Sequence, residues 1–309
     1  MNMKEIDTQK GARQDMEIVS FVILHYKDRE TTDACVRSIL SLEEQERIRI
    51  VIVDNDVGEN EEIREQLSRA YRQNPRIKVL PIYEGGGFSF ANNQGYRFAK
   101  EEQKASFILV LNNDIQFIQP DFLKRLDASI KANPCHVLGP DILCQSTGEH
   151  QNPMDNRLRT EKEARFTIRM NRLALKAYPV LYPLLYWNLK REEKKRLEQR
   201  QSQETYYQTV QRDVVPFGAC LIFTPEFVSK EEKAFAPETP FFYEEYLLAG
   251  RCKDKKYRIV YDPSLKALHE NGKATSKTYA SEKKRIRFMM ERTAEAAEIY
   301  LETGIMHCE

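Results

Sequence analysis

Four short apolar runs recur between residue 17 and Asp114, each followed by a turn-forming polar or glycine cluster. This alternation constrains the fold more than any other feature of the chain. The runs are Glu17–Leu24, Ile48–Val53, Arg76–Ile82 and Phe107–Leu111. Between them, Arg29–Leu42, Asn60–Arg72 and Phe88–Lys100 place apolar residues at helical spacing. Strands separated by helices of this length predict βαβ units and a parallel sheet. The near-continuous hydrophobicity of Ile50–Val53 and Phe107–Leu111 suits strands buried on both faces. In such sheets ligands sit beyond the carboxyl ends of the strands. The clusters His25-Tyr26, Asp54-Asn55-Asp56, Gly85-Gly86-Gly87 and Asn112-Asn113-Asp114 all fall there. Further along, Val214–Thr224 reads as strand, Phe241–Tyr257 as helix, Arg258–Tyr261 as a short strand and Ser281–Glu302 as a charged amphipathic helix.

Composition narrows the function. With 41% apolar and 31% charged residues, the 309-residue chain can build a packed core as one large α/β domain or two small ones. A net charge of +1 excludes the simplest nucleic-acid binder, which carries a strong basic excess. No apolar run approaches the roughly 20 residues of a membrane span, and the charged first residues hold no apolar signal region. The six cysteines form no CxxC pair and read as reduced thiols, so the sequence predicts a cytoplasmic protein. The overall balance hides a segregation. Residues 157–200 hold 13 Lys/Arg against five Glu, a net of +8, so the remainder carries −7. Within that basic stretch lie Tyr178, Tyr182, Tyr186 and Trp187, the single tryptophan. Three readings are open: a surface for anionic membrane, part of a lipid-linked acceptor site or partner interface, or a helical insertion packed on its own core.

Several residues could carry chemistry, each with a structural alternative. Asp114, directly after a strand, can hold a divalent cation that bridges two phosphates, or can close an Asx turn. Asp54 can accept a hydrogen bond from a base or ribose, or serve a turn. The triple glycine lets backbone N–H groups approach a phosphate near a helix N-terminus, or is a flexible turn. Glu244 and Glu245 follow an aromatic run; one can act as general base for an acceptor hydroxyl, or both can favour a helix start. His269 can ligate a metal or be an ordinary hydrogen-bonded histidine.

Taken in order, these pieces resemble family-two glycosyltransferases of the GT-A fold, of the bacterial rhamnosyl- and glucosyltransferase type. The likeness spans residues 17–142 and 213–277. Val53-Asp54-Asn55 is similar to the family's V-D-N, and Leu111-Asn112-Asn113-Asp114 to the L-N-N-D form of its metal motif. Gly87-Phe88 with Asn92-Asn93-Gln94-Gly95 resembles the segment that lies along the donor, and Gly218-Ala219-Cys220 the small-residue strand on the acceptor side. The resemblance implies a mostly parallel central sheet flanked by helices, with a basic helical insertion and a C-terminal helix. It implies donor contacts from Tyr26, Asp54, Asn55, Gly87, Phe88, Asn93 and Asn113. It also implies Mg²⁺ or Mn²⁺ on Asp114 and His269, and Glu245 as catalytic base beside Glu244. His25 stands where the family has Asn, Gly85 where it has Asn, and Glu245 where it has Asp.

The implied reaction is inverting transfer from a nucleotide-diphosphate sugar to a hydroxyl of a saccharide or lipid-linked saccharide, in bacterial surface polysaccharide synthesis. The implied location is the cytoplasm, at the inner face of the membrane if the basic stretch binds lipid. A non-catalytic nucleotide-sugar-binding subunit is the alternative. A Rossmann oxidoreductase would need fingerprint glycines after the first strand, which are absent. The expected organisation is a tail (1–16), a donor-binding half (17–142), a linker with the basic insertion (143–212), an acceptor and catalytic half (213–277) and a C-terminal helix (278–309).

Overall fold

The computed structural model describes residues 16–305 apart from 59–60, 84, 86 and 271–280. Gly86, the Ser/Thr pattern after His269, His307 and Cys308 therefore lie outside the described residues.

The first half builds β1 (Val19–His25), α1 (Arg29–Leu40), β2 (Ile48–Asp54), α2 (Glu61–Tyr71), β3 (Ile77–Pro81), α3 (Gly87–Glu101) and β4 (Phe107–Asn112). Then come β5 (Ile115–Phe117), α4 (Phe122–Ala132) and β6 (Val137–Cys144), in a region where sequence periodicity named no element. The basic stretch forms α5 (Glu161–Lys176) and α6 (Tyr178–Ser202), followed by a short α7 (Glu204–Tyr207) and β7 (Gln211–Arg212). The chain closes with β8 (Cys220–Phe223), α8 (Pro225–Lys230), α9 (Glu244–Asp254), β9 (Ile259–His269) and α10 (Glu282–Glu302).

Among the described residues one nine-stranded sheet runs in the order β3-β2-β1-β4-β8-β6-β9-β5, with β7 added against β9. The strands β3, β2, β1 and β4 are mutually parallel, as the alternation predicts. Beyond β4 the sheet turns mixed: β8 runs antiparallel to both β4 and β6, and β5 antiparallel to β9. The sheet is thus less parallel than expected.

Alternation along the parallel strands feeds two cores. Val22, Val51, Val53, Ile108 and Val110 point to the face covered by α3, where Tyr96 is fully buried. Phe21, Ile23, Ile50, Ile52, Leu109 and Leu111 point to the opposite face, under α1 and α4. Each run is apolar at successive positions because each strand is covered on both sides. In α3, a Cβ on Gly95 would press into the methyls of Val22 and Val53, so this glycine lets the helix lie directly on β1 and β2.

Three assignments shift in detail. Only Cys220–Phe223 of the Val214–Thr224 run is strand, and α9 starts at Glu244 rather than Phe241. The short strand at Arg258 becomes β9, eleven residues long. Its length matters, because its far end carries His269.

Candidate functional site

The carboxyl ends of β1, β2 and β4 are tied together before any ligand is considered. His25 and Asp54 are paired positions at the ends of β1 and β2. His25 Nδ1 lies 2.7 Å from Thr32 Oγ1, and Asn113 donates to the same oxygen at 3.0 Å. Thr32 in turn donates to the Asp28 carbonyl. Burial lowers the His25 pKa against the pull of Asp54 and Asp56, which favours the neutral ring. The buried Asn113 amide thus braces the ends of β1 and α1.

Around the end of β2, Asp54 Oδ1 accepts the Asp56 N–H at 3.2 Å, the Asx turn that its sequence position allows. Asn55 Oδ1, Asp56 Oδ2 and Arg64 Nη1 are buried there without a hydrogen-bond partner among the described residues. Buried polar atoms of this kind are costly unless something pairs with them. The Arg64 guanidinium lies 5.2 Å from the exposed Tyr83 ring. Sequence reading missed Arg64, since on a charged helix it looks like an ordinary solvated residue. Tyr26 lies just past β1, with the Lys27 ammonium 5.1 Å from its ring.

Gly87, Phe88 and Asn93, read as donor contacts, here join α3 to the loop before α9. The N–H groups of Phe88 and Ser89 donate to the carbonyls of Pro240 (2.7 Å) and Thr239 (3.3 Å). Gly87 has a positive φ of 69° and sits against Pro240 so closely that a Cβ would overlap it. The Asn93 amide donates to Phe235 O at 2.8 Å and to Glu238 at 3.0 Å, and accepts the Phe235 N–H. These groups position the loop that delivers Glu244 and Glu245.

Sheet register brings Asp114 and His269 together. Asp114 lies in the tight turn between β4 and β5, and β5 pairs Ile115 with His269 of β9. The Glu270 N–H closes the contact on the Asp114 carbonyl at 3.0 Å. The result is His269 Nε2 placed 3.0 Å from Asp114 Oδ1, both side chains buried. Gln151 Oε1 lies 2.7 Å from the other ring nitrogen and can accept its N–H. With Nδ1–H given to Gln151, Nε2 keeps a lone pair that can bind a cation, and in the other tautomer the same 3.0 Å suits an Nε2–H donated to the carboxylate. Two cis ligands of an octahedral ion with bonds of roughly 2.1 Å lie about 3.0 Å apart. The pair therefore fits a divalent cation. No group of three or more His, Cys, Asp or Glu side chains is assembled among the described residues. Further oxygen ligands would have to come from a phosphate-bearing substrate and water, the usual arrangement for Mg²⁺. Gln151 has no sequence signal; it reaches His269 only because the chain turns back after β6.

Glu244 and Glu245 open α9. Phe242 and Tyr243 before them have φ of 68° and 63°, a left-handed conformation that costs roughly 1–2 kcal/mol per residue. Packing sustains it: the Tyr243 ring contacts Tyr246 and Tyr300 at centroid distances of 5.4 and 5.5 Å. Strained backbone of this kind is characteristic of functional sites. The Gly218 N–H donates to Glu245 Oε1 at 3.2 Å, and a Cβ on Gly218 would sit 2.7 Å from that oxygen. Glu244 accepts from Thr239 Oγ1 at 3.4 Å. Burial raises both carboxyl pKa values. The charge of Glu245 pushes Glu244 higher still, while hydrogen bonds from backbone N–H groups, including Gly218, hold Glu245 back. Burial thus raises both acids, and Glu244 the further of the two.

One segment joins the two centres. Gly218 holds Glu245, while the neighbouring Phe217 ring packs edge-on against His269 at 5.9 Å. Asn152, next to Gln151, accepts the Phe217 N–H at 2.9 Å. Glu245 and the Asp114–His269 pair thus flank the same strand entry.

Comparison with known proteins identifies the family and the fold. The family described as Glycosyl transferase family 2 matches residues 20–187. Among solved structures, GalNAc-T7 with UDP, GalNAc and Mn²⁺ aligns with a TM-score of 0.53 at 14% identity, over 83% of this chain and 44% of that one. S. aureus TarS 1–349 aligns with a TM-score of 0.49 at 14% identity, over 82% of this chain and 60% of that one. The chain thus spans less than two thirds of either structure. No curated protein sequence matches it.

Proposed function

The chain belongs to glycosyl transferase family 2, and on that premise we propose that it is an inverting, metal-dependent enzyme using a nucleotide-diphosphate sugar. Its acceptor is a hydroxyl of a saccharide or lipid-linked saccharide, in the synthesis of a bacterial surface polysaccharide on the cytoplasmic side. The observation that carries the reading is the link through Phe217-Gly218 between the buried Glu245 carboxyl and the Asp114–His269 pair.

In this reading the unpaired atoms of Asn55, Asp56 and Arg64, with Asp54 beside them, receive the donor's base and ribose. Asp114 and His269 would hold Mg²⁺ or Mn²⁺, which when bound offsets the charge that builds on the leaving diphosphate. The Glu245 carboxylate takes the proton of the acceptor hydroxyl as its oxygen attacks the anomeric carbon from the side opposite the diphosphate. A base pKa raised by burial suits that step, because proton transfer is most effective when the pKa approaches the working pH. GalNAc-T7, whose solved structure holds UDP and Mn²⁺, accords with a nucleotide donor and a divalent ion.

The test is turnover. Purified protein incubated with Mn²⁺ and a panel of nucleotide-sugars should release nucleoside diphosphate, and the product anomer should be opposite to that of the donor. Glu245→Gln should abolish transfer and leave donor affinity intact. Donor binding without turnover by the native chain would instead favour a non-catalytic binding subunit.

A further inference from the structure

The basic aromatic stretch is not absorbed by the site. In α6 the rings of Tyr178, Tyr182 and Tyr186 lie in succession, tilted against one another at centroid distances of 5.9 and 6.0 Å. Tyr178 donates to the Lys283 carbonyl, and the Lys283 ammonium lies 5.6 Å from the Tyr182 ring, so this side faces α10. The opposite side of the helix is apolar and uncovered. Val180 is 82% exposed and Trp187 58%, with Leu184 between them equally open. In α5, Ala164 is buried and Ile168 packs toward the core, while Phe166 (62% exposed), Met170 and Leu173 face solvent. The outward residues of both helices follow the same four-then-three spacing, one stripe per helix. Soluble surfaces rarely leave such stripes in water without a use for them.

Charge selects the occupant. From Ala164 to Leu189 the sequence contains no carboxylate, but it holds Arg165, Arg169, Arg172 and Lys176. Their spacing sets them along one flank of the α5 stripe. Arg165 and Arg172 pair with Glu161 and Glu298, whereas no ion pair engages Arg169 or Lys176 among the described residues. The acidic residues of the stretch lie mostly farther along α6, where Lys190, Lys194 and Lys195 pair with Glu193, Glu198 and Glu192. An apolar stripe flanked by unneutralised cations and carrying a tryptophan matches the boundary of an anionic bilayer. A second copy of the same face would set cation against cation.

We propose that the outward faces of α5 and α6 dock the protein on the surface of an anionic lipid bilayer. The contact is peripheral, since no described helix is long and apolar enough to cross a membrane. The proposal goes beyond glycosyl transfer and holds whichever residue is the base.

Trp187, the single tryptophan, makes the test direct. Vesicles of phosphatidylcholine with phosphatidylglycerol should sediment the full chain and shift its tryptophan emission to the blue, and added salt should weaken both effects. Pure phosphatidylcholine vesicles should do neither. Arg169→Glu with Lys176→Glu should weaken binding by more than tenfold, since each surface cation contributes roughly fivefold. Val180→Ser with Leu184→Ser should reduce the blue shift while circular dichroism stays unchanged. Binding indifferent to lipid charge, no binding at all, or a blue shift that grows with protein concentration without vesicles would each overturn the proposal; the last would mark self-association.

Discussion

Replacing Gly218 by alanine tests the catalytic arrangement more sharply than removing an acid. The new Cβ would stand 2.7 Å from Glu245 Oε1, whereas ordinary contact begins at 3.4 Å, so the carboxylate must retreat by about 0.7 Å. The nearest atoms are the far end of a flexible glutamate side chain, so the fold can absorb the change. Retreat stretches the 3.2 Å hydrogen bond from the Gly218 N–H and, on the proposed mechanism, moves the base away from the acceptor hydroxyl. Misplacement of a reacting group by about 1 Å can cost roughly 100-fold in rate. The expected outcome is a kcat/KM lower by about that factor, with donor affinity and melting temperature close to those of the native chain. Release of nucleoside diphosphate during transfer gives the rate, and calorimetric titration gives donor binding. In a Glu245→Gln background the same substitution should cost nothing more, because the two changes act on one group. A Gly218→Ala enzyme within twofold of native turnover would refute both the positioning argument and Glu245 as base.

Gln151→Leu should free the His269 ring and weaken Mn²⁺ binding by about 10- to 100-fold in a calorimetric titration; unchanged affinity would remove Gln151 from the cation site. Gly95→Ala should destabilise the chain by about 1–3 kcal/mol, because α3 would be forced off Val22 and Val53; urea unfolding measures it. Glu244 has a folded pKa raised well above 4.5, so between those values the native state binds more protons than the unfolded one. Stability should therefore fall as pH rises through that window, and Glu244→Gln should flatten the fall. Urea midpoints at about pH 5 and about pH 8 for both proteins check the sign.

Much of the parallel half of the sheet was legible in the residues themselves. Apolar runs such as Ile50–Val53 announce a strand covered on both faces, and an acid just past each run must lie at the sheet edge. That logic is local, so it located Asp54 and Asp114 without tertiary knowledge. It failed between Ile115 and Cys144. There β6 runs through Gly139-Pro140, a break in the pattern, and β5 is only three residues long. It also left open what the charge segregation meant, since sequence shows only that +8 and −7 cancel. The folded chain separates the paired cations of distal α6 from those flanking an exposed apolar face.

The sequence by itself determined the parallel strands, the helices between them and the residue types waiting at their ends, because all three follow from periodicity and turn chemistry over short spans. Only the tertiary structure decided which of those residues meet. Asp114 faces His269 because β5 and β9 align in one register, and Gln151 backs the ring because the chain doubles back after β6. Glu245, not Glu244, receives the Gly218 N–H because the turn before β8 comes up against the start of α9. Long-range register and desolvation are properties of the packed chain, and no local pattern encodes them.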